Sequence, residues 1–115
     1  MGYSAVTINN RLSACEPVTI TQGIKVLADT SVTALTTDES IVFRKGFFYA
    51  YASFASGVPT ANAAAINFGK SATYLPDTLN PGEAILVEAP VGCRYRLADF
   101  RVKGAASDGI YWDLV

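Results

Sequence analysis

Histidine is absent from the 115 residues, and cysteine and methionine are scarce, at two and one. Without an imidazole the usual general base is missing, and with it the Ser–His and Cys–His catalytic arrangements. A Cys/His zinc site is excluded for the same reason. The two cysteines, Cys15 and Cys93, stand far apart and in no metal-ligand spacing. A Cys15–Cys93 disulfide requires the ends of the chain to pack together. A cytoplasmic product keeps its thiols reduced, so the preferred reading is two buried, inert cysteines. Charge is also scarce: 17% of residues carry it, against about 25% in an average soluble protein. The net charge of −1 gives a nucleic-acid partner no support. No run approaches the roughly 18 apolar residues of a membrane span. The start of the chain lacks the basic region and apolar stretch of a signal peptide, so a soluble protein made in a cytoplasm is expected. Phosphate-binding glycine loops, Cys-x-x-Cys pairs, internal repeats and charge blocks are all missing.

What the chain does have is hydrophobic residues, half of the total. That much apolar character with so little charge excludes disorder and leaves apolar surface to face another chain. Thr, Val, Ile, Tyr and Phe cluster in short runs at 4–9, 18–27, 31–36, 40–44, 46–54, 64–69, 83–89, 97–103 and 109–115. These residue types suit a pleated, half-buried surface. Segments 28–31, 37–39, 44–46, 79–82 and 104–109 separate the runs and supply Gly, Pro, Asp, Asn or Ser for turns. The expectation is an all-β protein, an antiparallel β-sandwich or jelly roll of about eight short strands. It forms a single domain over residues 1–115, with 1–17 as an extended N-terminal arm or edge strand. Between Pro59 and Gly69, Thr60 is able to cap a short helix to about Ile66, but a loop followed by a strand is the preferred reading.

Strand alternation assigns faces. In 97–103, Phe100 and Val102 oppose Asp99, Arg101 and Lys103, a core-and-solvent strand. Run 83–89 is apolar on both sides and reads as central. In run 46–54, Phe47, Tyr49, Tyr51 and Ser53 share one face, and Phe48, Ala50, Ala52 and Phe54 the other. Either this is a central strand covered by a loop, or Phe47, Tyr49 and Tyr51 form a subunit interface or ligand platform. At 109–115, Ile110, Trp112 and Leu114 oppose Tyr111, Asp113 and Val115. Trp112 is expected in the core, and Tyr111 joins the candidate interface.

No catalytic residue emerges, and neither a metal nor a cofactor is called for. Glu16, Asp29, Asp38, Glu39, Asp77, Glu83, Asp99 and Asp108 fall in turns or at polar strand positions. Arg94, Arg96, Arg101 and Lys103 crowd four of the nine basic residues into ten positions. They are either scattered solvated charge or a strip that docks on an acidic partner and sets orientation and on-rate.

Segments 79–90 and 97–115 have a recognisable form. Leu79, Gly82, Glu83 and Ile85, followed by Leu97, Asp99, Phe100, Val102, Gly104, Asp108, Gly109 and Trp112, resemble a strand-and-turn pattern in small structural proteins of bacteriophage particles. Segment 64–72 is similar to the strand that precedes it there. The resemblance covers roughly the last half of the chain. Gly82 and Gly109 fit turn positions that need positive φ, and Asp108 fits a bond to the turn backbone. The resemblance implies a virion component, such as a capsid decoration (cement) protein or a head or tail appendage, made in the host cytoplasm. Its partner would be the major capsid protein or another virion protein, and it would be a homo-oligomer, a trimer by preference. The alternative is a carbohydrate- or receptor-binding module using Tyr3, Tyr49, Tyr51, Tyr74, Tyr111 and Trp112 as a stacking platform.

Overall fold

A computed structural model describes residues 20–115. The anticipated arm or edge strand at 1–17, with Tyr3, Cys15, Glu16 and strand 4–9, lies outside the described residues. In chain order the strands are β1 (Thr21–Val26), β2 (Thr33–Ala34), β3 (Val42–Phe43), β4 (Lys45–Tyr49), β5 (Tyr51–Ser53) and β6 (Thr60–Ala61). They continue with β7 (Ile66–Gly69), β8 (Asp77–Leu79), β9 (Ala84–Glu88), β10 (Tyr95–Arg96), β11 (Arg101–Lys103) and β12 (Gly109–Leu114). Single 3-10 turns occupy Ala55–Gly57 and Leu97–Asp99.

The pairs are all antiparallel. One four-stranded sheet runs β1-β12-β4-β9, the other β2-β11-β7-β8, with two small ribbons, β10-β3 and β5-β6. The four-stranded sheets face each other across a core of Phe48, Ile110, Trp112 and Leu114 from one and Ile66, Phe68, Leu79 and Val102 from the other. Phe48 and Phe68 meet with ring centroids 4.8 Å apart, and Phe100 stacks on Phe68 at 5.5 Å. The molecule is an antiparallel β-sandwich, as the strand spacing implied. Trp112, 6% exposed, belongs to this core.

Several local expectations differ from the structure. Run 46–54 breaks at Ala50, where the chain leaves β9 and turns to β6. The Ala50 amide donates to Glu83 O (2.8 Å), and its carbonyl accepts from Asn62 N and Gly82 N. The β5-β6 pairing then slips between Tyr51 and Ser53. Phe54 consequently leaves the Phe48 face and stacks on Tyr111 at 4.4 Å. Among the described residues, strand β9 is an edge strand rather than a central one. Residues 97–99 form a 3-10 turn that buries Leu97. No helix forms after Thr60; a loop leads into β7, as preferred. Cys93 is exposed in the 91–94 turn, not buried.

The two glycines singled out for positive φ part company. Gly82 does adopt φ +82. Gly109 is needed for close approach instead: an added Cβ would lie 2.7 Å from Lys25 O and 3.0 Å from Tyr51 O. The Asp108 side chain does not bind its own turn. Its carboxylate accepts from Ala63 N (2.8 Å) and Ala64 N (3.1 Å), while the buried Asn62 amide exchanges two 2.8 Å bonds with the Gly109 backbone.

Candidate functional site

The face of the β1-β12-β4-β9 sheet that points away from the core carries an apolar patch. Directly opposed residues share a face, so the register fixes its membership. Ile24 stands opposite Tyr111, Tyr111 opposite Tyr49, and Tyr49 opposite Ala84. One step along, Gln22 faces Asp113, Asp113 faces Phe47, and Phe47 faces Leu86. Tyr51 extends the row from β5, its ring parallel to that of Tyr49 at 5.7 Å, and Phe47 stacks on the other side of Tyr49 at 6.3 Å. Phe47 and Leu86 remain 44% and 45% exposed, and Ile24 and Val26 are exposed beside them. Among the described residues, only Phe54 and its segment lie against this part of the sheet.

Three of the four interface residues read from the sequence, Phe47, Tyr49 and Tyr51, are therefore brought together on this face. Tyr111 lies beneath them, only 8% exposed because Phe54 covers its ring. The other members were missed. Ile24 and Val26 show an alternation that could have placed them, and so does Leu86. Phe54 could not be placed, because its position depends on the break at Ala50.

One carboxylate sits within the aromatic face. Asp113 accepts hydrogen bonds from Gln22 Nε2 (2.8 Å) and from the Tyr111 hydroxyl (3.2 Å). Burial pushes the Tyr49 and Tyr111 phenols above the ordinary tyrosine value, and the adjacent Asp113 charge adds to the effect. Beside the face, β1 and the 52–57 segment enclose an open groove of about 630 Å³, lined by Ile24, Val26, Phe54 and Tyr111.

The stacking platform fares differently. Trp112 is in the core, and Tyr74 is exposed in the 70–76 connection between β7 and β8, within the other sheet. Tyr111 has given a ring face to Phe54, and Tyr49 and Tyr51 are packed against each other. Tyr49, Tyr51 and Tyr111 thus spend ring faces on internal contacts, while Tyr74 keeps its ring exposed.

The basic strip is divided. Arg96 is held by Glu39 and Asp99, each at 3.2 Å. Arg101, half-buried, donates to Ala98 O at 2.7 Å. Arg94, in the 91–94 turn, and Lys103, on β11, are both exposed. Lys70 adds a cation on the same flank, its ammonium 4.3 Å from the centre of the Tyr95 ring.

The carboxylates hold turns. Asp29 accepts from the amide and hydroxyl of Ser31, and Asp38 does the same with Ser40. These bonds hold both carboxyls below the ordinary aspartate value. Among the described residues no cluster of acidic residues and cysteines has the makings of a metal site. No described helix is long and apolar enough to cross a membrane. In comparisons with known proteins, no family model, curated protein or solved structure matches this chain.

Proposed function

We propose that this chain is a non-enzymatic structural protein that acts by docking, and that the outward aromatic face of the β1-β12-β4-β9 sheet is its docking surface. The observation that carries the reading is the half-exposed apolar row of Phe47, Leu86, Ile24 and Val26 around packed tyrosines. Covering each of these side chains contributes about 1 kcal/mol, roughly half the value for complete burial. Tyrosine suits such a surface because it buries a large ring and keeps a polar tip for the partner.

The resemblance of segments 79–90 and 97–115 to phage structural proteins supplies the partner class. The major capsid protein, or another virion protein, would present the surface that this face covers. The mechanism is passive: a protein seated across neighbouring capsid subunits adds its buried area to the cost of separating them. The exposed Lys103, Arg94 and Lys70 would orient approach to an acidic particle surface.

The test is co-sedimentation of the purified protein with capsid shells of the phage that encodes it. Wild-type protein pellets with the shells, and Phe47→Ala combined with Tyr49→Ala weakens binding at least tenfold without unfolding the sandwich. Wild-type binding by the double variant would remove the aromatic face from the account. A wild-type protein that ignores the shells would remove the capsid.

A further inference from the structure

A β-sandwich with open sheets has edges that attract further strands, and proteins protect them with inward charges, shortness, proline or bulges. Among the described residues the two four-stranded sheets have four edges, and three of these are protected in this way. On β1, Lys25 is directly opposite the buried Ile110 and so points its charge toward the inner face. Strand β2 is two residues long. Strand β8 is three residues long and sets Asp77 opposite the buried Phe68. Strand β9 has none of these devices. It is five residues, Ala84 to Glu88, regular in register, free of proline and lysine, and unpaired on its outer side among the described residues. Its inward side chains, Ile85 and Val87, are left only partly buried.

The direction of its free backbone groups follows from the ladder. The Ala50 amide bonds Glu83 O and the Ala89 amide bonds Arg44 O. Hydrogen-bonded and non-bonded pairs alternate in an antiparallel ladder. Ile85 and Val87 therefore turn their amides and carbonyls toward β4, and Ala84, Leu86 and Glu88 turn theirs outward.

We propose that two copies of this chain pair through β9, antiparallel and two-fold, in the register centred on Leu86. In that register Leu86 faces Leu86 of the second copy, and Ala84 faces Glu88. Every outward amide and carbonyl of the strand then finds a partner. Ile85 is brought opposite Val87, completing the burial that one copy leaves unfinished. The two Glu88 carboxylates are kept apart, each beside its own Lys45 at 3.8 Å. Registers centred elsewhere leave one of the three residues unpaired or set the two Glu88 side chains opposite each other. Leu86 and Phe47 of both copies become neighbours, so the two aromatic faces join into one continuous surface. The result is a two-fold pair, where the sequence pointed to a trimer. It needs no capsid and stands or falls separately from the docking partner.

Sedimentation velocity on the full chain over a range of concentrations reads the pairing directly. The wild-type mass rises to twice that of the chain, and Leu86→Lys, which sets two ammonium groups on the axis, stays at one. Leu86→Pro, which removes an outward amide without touching the bonds to β4, gives the same result. Amide exchange supplies the residue-level readout. Ala84, Leu86 and Glu88 exchange slowly in the wild type and at least tenfold faster in the Leu86→Lys variant, while Ile85 and Val87 stay protected in both. A wild-type monomer, a Leu86→Lys dimer, or slow exchange at all three outward amides in a monomer would overturn the proposal; the last would mean that the chain covers its own edge.

Discussion

Gly23 lies directly across from Trp112, and the indole occupies the space where a side chain would begin. A Cβ at Gly23 would stand 2.6 Å from the ring, well inside contact distance. Gly23→Ala must therefore displace a core tryptophan, and overpacking of this kind costs about 1–3 kcal/mol. Denaturant melts should show the loss as a lower midpoint with an unchanged slope. Tyr111 and Tyr49 carry a different liability. Their phenols titrate higher in the folded protein than in the unfolded chain. Well below about pH 10 both states hold the proton and the shift has no effect. Nearer that value the unfolded chain ionises first, so stability falls as pH rises toward the folded value. Tyr111→Phe should flatten that alkaline loss in melts run between neutral pH and pH 11. An equally steep loss in the variant would transfer the effect to Tyr49.

At the scale of elements, Asp108 and Asn62 join the 62–64 connection to the start of β12. Removing the Asp108 carboxylate strands the Ala63 and Ala64 amides, and bonds to a charged acceptor are worth about 1.5–3 kcal/mol each. Asp108→Ala should lower the unfolding free energy by about 2–3 kcal/mol, once water has repaired part of the loss, as read by chemical denaturation. This pair also shows where sequence reading stops. Alternation placed Phe100, Val102, Ile110, Trp112 and Leu114 correctly, because a period of two is visible in any strand long enough to repeat. Strands β6, β8 and β10 are only two or three residues long and show no period. The reach of Asp108 to residues 45 positions away leaves no local trace, so the residue was read as serving its own turn. The candidate site was legible to the same degree. Phe47, Tyr49 and Tyr51 followed from alternation, whereas Phe54 crossed to the outer face through a backbone break that only Ala50's tertiary partners explain.

Over the whole molecule, the aromatic face and the exposed Lys103 belong to different sheets, whereas Lys45 borders the aromatic face from β4. Lys103 is on β11, across the core from the Phe47 row. Their contributions to docking should therefore separate. Charge reversal at Lys103 and Arg94 should slow association with capsid shells at low salt and matter little at high salt, where the screening length shrinks to a few ångströms. Loss of the aromatic row should weaken binding at every ionic strength. Arg101 is unsuited to this test, because its guanidinium is committed to Ala98 O and its reversal would disturb the fold as well. Co-sedimentation at two salt concentrations tells the two surfaces apart.

The strand order of the larger sheet has a consequence for how the protein is made. Strand β12 sits between β1 and β4, so the middle of the sheet is the part synthesised after all the other strands. Until residues 109–114 have left the ribosome, β1 has no strand partner among the described residues, and β4 has only β9. The larger sheet therefore closes only when β12 inserts between β1 and β4, which makes that late insertion the step that joins its two halves.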